Sequence, residues 1–335
     1  MQAKQFGCRL AFFQVSNRLS QLFVKYLNKN EVLRVKKDMT INRKRVFLER
    51  FFHIVFLVAA LFAVLSVALI IIFIFGKGLA PFFPNNEYGT YNFIDFITGL
   101  QWKPKIGDYG IGYMIVSSMV ATLGAIIIGV PIALLTAVFI AEVAPKPLAN
   151  LVRPAIELLA AIPSVLYGVF GFAIITPMVK SISPYPSGDS LLAVIIVLTI
   201  MILPTIVAVV ETAIRAVPQA YKEGSLALGA SKIQTIFKVV LPAAKSGILT
   251  GVILGVGRAI GETMAVILVA GNPESGIPQT IFDRVRLLTT NIALEQGYAA
   301  ELHEQMLFST AVILFIFIMI INLVLSRIQS KAGDR

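Results

Sequence analysis

The chain has 335 residues, of which 57% are hydrophobic and only 14% are charged, and its formal net charge is +11 at pH 7. A soluble globular protein is nearer half apolar and about a quarter charged, so the composition excludes an ordinary soluble domain. The apolar residues are concentrated in blocks, which indicates a polytopic membrane protein surrounded by lipid. Because the basic residues flank these blocks, we predict no nucleic-acid partner.

The first 50 residues carry twelve Lys or Arg and three acidic residues. We predict a basic cytoplasmic N-terminal arm over 1–50, followed by a transmembrane domain over 51–330. Leucine and aromatic residues at helical spacing in 19–27 leave open an interfacial amphipathic helix. The single cysteine, Cys8, has no partner for an intramolecular disulfide, and the sequence offers neither a metal site nor a catalytic residue set.

Six apolar blocks follow the arm, each close to the roughly 20 residues that span hydrocarbon. They predict spans at 52–75, 113–141, 154–179, 191–213, 246–270 and 306–326. Several blocks contain proline, which membrane helices tolerate when neighbours satisfy the freed carbonyls. We therefore expect kinks rather than breaks at Pro131, Pro163, Pro177 and Pro204.

Basic residues favour one side of the six spans. With both termini on one side, 22 Lys and Arg lie there, six lie on the other side, and Arg258 is inside a span. By the positive-inside rule the richer side is cytoplasmic. We therefore predict that both termini are cytoplasmic.

Two segments on the outer side, 76–112 and 271–305, are longer than connectors require. The first holds Trp102 among several other aromatic residues. Aromatic rings of this kind are enriched at the headgroup level of a bilayer. We expect Trp102 in that belt, and a docking surface for another protein is the alternative.

The longest internal cytoplasmic segment, 216–247, contains two short helical patterns separated by Gly229. Glycine reaches positive φ without penalty, so we predict a sharp helix–turn–helix there. Pro242 then precedes the next span. The spacing from Gly224 to Gly229 is that of a phosphate-binding loop, but the Lys and Ser/Thr that should follow are missing. If the protein does chemical work, ATP must therefore be bound elsewhere.

This segment resembles the signature of ABC importer permeases, E-A-A-x-x-x-G-x₉-I-x-L-P. The matching residues are Glu223, Gly224, Ser225, Gly229, Val239, Leu241 and Pro242. Gly and Ser replace the two alanines, and Val replaces Ile, so the substitutions keep small and branched side chains in place. The resemblance implies that residues 217–242 form a coupling loop that connects the chain to an ATPase subunit, and a plain amphipathic connector is the alternative.

Charged residues within predicted spans are expensive, at roughly 2.5–3.5 kcal/mol each on insertion scales. Three such residues are Glu157, Arg258 and Glu262, whereas we expect Glu211 to reach water from a helix end. A spacing of four places Arg258 and Glu262 on one helix face, among small residues. A planar guanidinium suits an oxyanion path. Close helix packing with a structural ion pair is the alternative.

Three stretches sharpen the resemblance: IELLAAIPSVLYG (156–168), GRAIGETMAV (257–266) and WKPKIGDYG before the second span. They are similar to the C-type permease of the phosphate-specific ABC importer, over roughly residues 50–330. The resemblance implies an all-α membrane protein with six transmembrane helices in the type I ABC importer permease (MetI-like) fold. It also implies a substrate path through Arg258, Glu262, Glu157 and Thr263.

The resemblance further implies a translocating subunit that is not itself an enzyme and holds no cofactor. Its expected partners are a second homologous, A-type permease, two ATPase subunits that bind ATP and Mg, and an extracytoplasmic phosphate-binding protein. Three alternatives stay open. The first is a permease for sulfate, molybdate or phosphonate. The second is a standalone channel or secondary transporter. The third is an intramembrane enzyme, for which the histidines supply no catalytic set.

Overall fold

A computed structural model describes residues 43–84 and 86–333, which are helical almost throughout. The chain separates into two compact units, one ending at Ile70 and the other spanning Ile71–Arg335. Most of the predicted basic arm, including Cys8 and the amphipathic pattern at 19–27, lies outside the described residues.

Fourteen α-helices and one two-stranded hairpin follow each other along the described residues. The helices are α1 Arg43–Leu79, α2 Phe93–Thr98, α3 Gly112–Val138, α4 Lys146–Ala161, α5 Ser164–Phe170, α6 Thr176–Ile182, α7 Leu191–Arg215, α8 Gln219–Ala227, α9 Lys232–Thr235, α10 Leu241–Ala243, α11 Lys245–Gly261, α12 Met264–Ile267, α13 Leu288–Glu295 and α14 Glu301–Gly333. Single π-helical turns extend α3 and join α5 to α6 and α9 to α10, at Phe139–Val143, Gly171–Ile175 and Ile236–Val240. The hairpin pairs β1 (Trp102–Lys103) with β2 (Asp108–Tyr109), with Trp102 opposite Tyr109.

Within these residues, five helices are long and apolar enough to cross a membrane: Leu48–Phe82, Gly112–Val143, Ser164–Ile182, Leu191–Arg215 and Glu301–Ser330. A sixth span is completed when Lys232–Ala243 and Lys245–Gly261, which meet at a 71° bend, are counted together. The order of the apolar helices follows the six predicted spans. The protein is therefore a multi-pass membrane protein whose candidate spans are helices.

The third predicted span begins later than the sequence indicated. Helix α4 ends at Ala161, Ile162 is extended (φ −65°, ψ 129°), and α5 starts at Ser164. A proline disfavours helical backbone in the residue before it, so Pro163 marks a break, and the predicted kink there is wrong. Pro131 and Pro204 do lie inside continuous helices.

Helix α7 is the central element of the second unit, and it packs against α3 and α11. Small residues permit the close approach. A Cβ added to Gly129 of α3 would lie 2.8 Å from the Ile202 side chain, and one added to Gly255 of α11 would lie 2.5 Å from Ile206. This glycine-mediated packing holds the helices that carry the candidate site.

A second cluster of buried residues forms where β1 and β2 meet the first turn of α3, α13 and the first turns of α14. Trp102 is completely buried there, in contact with the Tyr109 ring at a centroid distance of 5.3 Å. Leu288 and Met306 contribute to the same cluster. The expected position of Trp102 in a headgroup belt is therefore wrong, because the outer segments fold over the ring.

Candidate functional site

The fifth predicted span is interrupted immediately after its arginine. Helix α11 ends at Gly261, and Glu262 is extended, with φ −73° and ψ 131°. The chain resumes as one helical turn, α12, after Thr263. Because the helix does not continue, the four-residue spacing no longer places Glu262 one turn above Arg258. The expected common face is wrong.

Arg258 lies in the last turn of α11 and is half-buried. Its Nη1 donates a hydrogen bond of 2.7 Å to Oγ1 of Thr205 on α7. A cation in the last turn of a helix complements the negative end of the helix dipole. The guanidinium thus has one neutral partner and a favourable position, with no carboxylate bound to it among the described ion pairs.

Glu262 is buried, with 8% of its surface exposed, and its carboxylate is used locally. Its Oε1 accepts a 3.0 Å hydrogen bond from the backbone N–H of Ala265, in the first turn of α12. Its backbone carbonyl accepts from the Thr289 hydroxyl at 2.9 Å. A carboxylate at a helix N-terminus satisfies a free N–H group and complements the dipole. Glu262 therefore stabilises the break in the span.

The helices that follow the two breaks, α5 after α4 and α12 after α11, are neighbours in the structure. Helix α5 packs against α12 so closely that a Cβ on Gly168 would lie 2.8 Å from the Ala265 Cα. Thr263 lies in the second break and is half-buried. Glu157 is exposed on α4, outside the candidate spans, so it is not the mid-span charge that the sequence indicated.

The four glycines of α11 between positions 251 and 261 divide into two sets with different surroundings. Gly251 and Gly255 are buried against Val210 and Ile206 of α7, where a Cβ would meet side-chain atoms at 2.9 Å or less. Gly257 and Gly261 are exposed, and an added Cβ on either would meet no atom within 4 Å. The open surface near Arg258 is therefore formed by Gly257 and Gly261, whereas the other two glycines serve packing.

The loop at 216–247 has the helix–turn–helix form that its sequence predicts. Gly229 adopts φ +85° between α8 and α9. The Ser231 side chain accepts from the Gln234 backbone N–H, and the Gln234 side chain accepts from the Ser231 backbone N–H. The two bonds together form a capping box. Ser225 and Thr235 join the two helices through hydroxyl oxygens 3.0 Å apart. The predicted turn and its positive φ are confirmed.

The residues of the signature lie on two faces of this loop. Glu223 and Gly224 are exposed on α8, Leu241 is half-buried against the core, and Pro242 is exposed at the start of α10. Apolar side chains surround the turn without protein cover, namely Tyr221, Leu226, Leu228, Ile233 and Phe237. Leu228 is 90% exposed. Tyr221, Leu226 and Leu228 lie outside the candidate spans, whereas Ile233 and Phe237 lie in the first arm of the bent pair. A cluster of exposed apolar side chains around this turn indicates a protein-binding surface.

A network of ion pairs connects the loop to the helix ends. Glu211 is 5% exposed, and its Oε1 accepts from Arg153 Nη2 and Arg215 Nε, each at 2.8 Å. Lys222 of α8 contacts Glu142 at 2.5 Å. The expectation that Glu211 reaches water is wrong, because two guanidinium groups enclose it. In the sequence, the spacing of four between Glu211 and Arg215 indicates that ion pair. No sequence pattern indicates the Arg153–Glu211 pair or the Lys222–Glu142 pair.

A buried ion pair also lies beside the cluster that contains Trp102, where the His303 ring is 6.0 Å from the Trp102 ring between centroids. Arg286 Nη2 contacts Glu295, and these residues are 3% and 6% exposed. The second carboxylate oxygen of Glu295 is 3.3 Å from Nε2 of His303. This group joins the segment before α13, the end of α13 and the start of α14. The sequence counted Arg286 only as an outer basic residue and gave no sign of its partner.

Comparison with known proteins gives consistent results. A family model described as the binding-protein-dependent transport system inner membrane component matches residues 129–332. The chain is 38% identical to the probable ABC transporter permease protein YqgH of Bacillus subtilis, over 80% of this chain and 88% of that protein. It is 34% identical to the phosphate transport system permease protein PstC of Pasteurella multocida, over 75% and 85% of the two chains.

A solved structure extends the likeness to the fold. It is a bacterial ABC transporter involved in the import of the acidic polysaccharide alginate, and one of its chains aligns with a TM-score of 0.55 at 18% identity. The alignment covers 84% of this chain and 99% of that one. The predicted ABC importer permease fold is confirmed by this likeness and by the family match.

Proposed function

The chain belongs to the family of binding-protein-dependent transport system inner membrane components, and we propose that it is the permease subunit of an ATP-driven importer of inorganic phosphate. Relatives named as phosphate transport system permeases support the choice of substrate. As a translocating subunit the chain carries out no bond chemistry. ATP and Mg are bound and used by a separate ATPase.

Arg258 carries this proposal. It lies within a candidate span, beside a break in its helix, and Gly257 and Gly261 leave open space next to it. Only one of its N–H groups donates a hydrogen bond to the described residues. The remaining donors form a planar fork that matches two oxygens of a tetrahedral oxyanion. Glu262 and Thr263 form the break beside this group, and Glu157 lies on α4, before the neighbouring break.

The loop around Gly229 is the proposed contact with the ATPase. Its exposed apolar side chains, led by Leu228, offer a surface that a protein groove would cover. The Lys222–Glu142 contact links α8 to the π-helical turn that ends α3, so a movement of the loop would reach that helix. The complete importer also contains a second, A-type permease and an extracytoplasmic phosphate-binding protein.

Both termini are proposed to be cytoplasmic, on the basis of the 22-to-6 distribution of Lys and Arg. In a Cys8→Ser chain, Thr90→Cys should react with an impermeant maleimide on sealed cells. Ala230→Cys should react only after lysis. Labelling of both cysteines from outside would exclude this orientation.

Transport by the complete complex, reconstituted in liposomes with its ATPase, binding protein and second permease, tests the function directly. We expect ATP-dependent uptake of labelled phosphate that is lost with Arg258→Ala and resists excess sulfate and molybdate. Uptake that sulfate inhibits as strongly as unlabelled phosphate does would assign the permease to a different oxyanion. Uptake without ATP would assign it to a channel or a secondary transporter.

A further inference from the structure

We propose that Thr205 is a positioning residue for the oxyanion path, because its hydroxyl orients the Arg258 guanidinium toward the open surface of α11. This inference rests on the proposed function. Thr205 is on α7, 53 positions from Arg258 in sequence, and its Oγ1 accepts the 2.7 Å bond from Arg258 Nη1. Among the described residues, Thr205 is the side chain that accepts a hydrogen bond from the Arg258 guanidinium.

Close helix packing fixes the geometry of this contact. Gly255, one turn before Arg258, meets Ile206 so closely that a Cβ would lie 2.5 Å from that side chain. The backbones of α7 and α11 are therefore held at short distance, and Thr205 lies next to Ile206 in the contact. In a helix the χ1 angle of threonine is restricted to two main rotamers, and in the observed one Oγ1 of Thr205 faces Nη1 of Arg258.

Within the described residues Thr205 differs from several other helical threonines because its hydroxyl donates to no carbonyl, although Thr250 likewise accepts from a side chain, Gln329 Nε2 at 2.8 Å. Thr136, Thr212 and Thr250 each donate to the carbonyl four residues earlier, at 2.8–2.9 Å. Thr205 donates to no carbonyl in the described part of the chain and instead accepts from Arg258. Its oxygen is neutral, so it orients the guanidinium without cancelling the charge, as a carboxylate would. The charge stays available to an anion.

One consequence concerns the hydroxyl proton. Once the oxygen accepts from Arg258, its O–H remains a donor. An oxyanion bound to the fork of Arg258 would lie close to this donor, and a third hydrogen bond to a substrate oxygen would favour the tetrahedral anion. The substrate class is the phosphate-like oxyanion of the proposed function, recognised by two guanidinium donors and one hydroxyl.

Kinetics of phosphate uptake by the reconstituted complex tests the inference. Thr205→Val removes the hydroxyl and keeps the branched shape, and kcat/KM for phosphate should fall about tenfold, which corresponds to about 1.4 kcal/mol. Thr205→Ser keeps the hydroxyl and should stay within about twofold of the parent. Thr212→Val, on the same helix, is the matched control and should leave kcat/KM unchanged. All rates are expressed per molecule in the membrane.

The outcomes separate the inference from the function on which it rests. If Arg258→Ala abolishes uptake while Thr205→Val leaves kcat/KM unchanged, Thr205 does not position the arginine and the proposed function stands. If Thr205→Ser loses as much as Thr205→Val, the side chain acts through packing and the inference is overturned. If Arg258→Ala transports normally, the proposed path itself fails. In an Arg258→Lys background, Thr205→Val should cost less than in the parent.

Discussion

Arg258 and Arg286 occupy surroundings of different kinds. Arg286 is 3% exposed and bonded to the carboxylate of Glu295, which also faces His303. Arg258 is half-buried, meets the neutral hydroxyl of Thr205, and has open space beside it at two glycines. Arg286 has a fixed counter-charge in Glu295, whereas Arg258 has no counter-charge among the described ion pairs. A charge without a fixed counter-charge is available to a passing anion.

The difference separates two kinds of failure. Removing one partner of a buried ion pair leaves an uncompensated charge, which destabilises the fold. Removing Arg258 leaves only the Thr205 hydroxyl, which is neutral. We therefore expect variants of the outer pair to change the amount of folded protein, and variants of Arg258 to change the rate of transport per molecule.

The largest expected effect is that of Arg258→Ala. Uptake of labelled phosphate per molecule should fall at least about a hundredfold, because two charge-assisted hydrogen bonds to the anion are lost. Membrane abundance, measured by quantitative immunoblotting, should stay unchanged. Arg258→Lys should recover little, since an ammonium lacks the fork. Reduced abundance with a normal rate per molecule would place Arg258 in the same class as Arg286.

Arg286→Met should give the opposite pattern. The orphaned Glu295 carboxylate should lower stability by about 3–5 kcal/mol, and the amount of extractable, monodisperse protein should fall. The double change Arg286→Met with Glu295→Met should restore most of that amount, because an apolar pair leaves no buried charge. Phosphate uptake per surviving molecule should be near normal in both. A double variant with no recovery would show that the pair does more than balance charge.

Gly229→Ala extends the comparison to a backbone position. The turn needs φ +85°, which costs a non-glycine residue about 1–2 kcal/mol, although the space around the glycine is open. Co-purification of the ATPase and uptake should fall severalfold. Gly224→Ala is the matched control, since that glycine is helical with equal space, and it should be neutral. Equal behaviour of the two variants would remove the role of the positive φ.

The smallest expected effect is that of Glu262→Gln. This variant decides whether Glu262 serves stability, as Arg286 does, or transport, as Arg258 does. An amide oxygen still accepts from the Ala265 N–H, so uptake should stay within about threefold. Glu262→Ala removes the acceptor and should cost about 1 kcal/mol of stability, as loss of a helix cap does. Thermal unfolding of the purified complex measures this. Loss of transport with Gln at full stability would instead assign the charge of Glu262 to the substrate path.

Properties set by local sequence were predicted correctly. The apolar blocks lead to the observed order of spans because a helix in hydrocarbon must satisfy its own backbone groups and needs a fixed length. The turn at Gly229 was predicted because few residues other than glycine adopt positive φ readily. The resemblance in 217–242 and 257–266 led to the importer permease family, which the family match confirms.

The candidate site was predicted in its residues and not in its geometry. The sequence singled out Arg258 and Glu262 by their cost in a span, yet it placed them on one continuous helix. At the break after Gly261 the hydroxyl of Thr289, 27 positions away, donates to the Glu262 carbonyl, and α5 packs against α12 at Gly168. No local pattern contains those contacts.

The sequence by itself determined that the protein crosses a membrane, which segments cross it, and where an expensive charge lies, because length, hydropathy and charge act residue by residue. Only the tertiary structure decided what each charge does. Arg286 forms an ion pair with Glu295, Glu211 forms ion pairs with two arginines, and Arg258 is hydrogen-bonded to a threonine 53 positions away. Such partners are chosen by helix packing, in which residues remote in sequence come within a few ångströms, so the distinction between a compensated charge and an available one exists only in the fold.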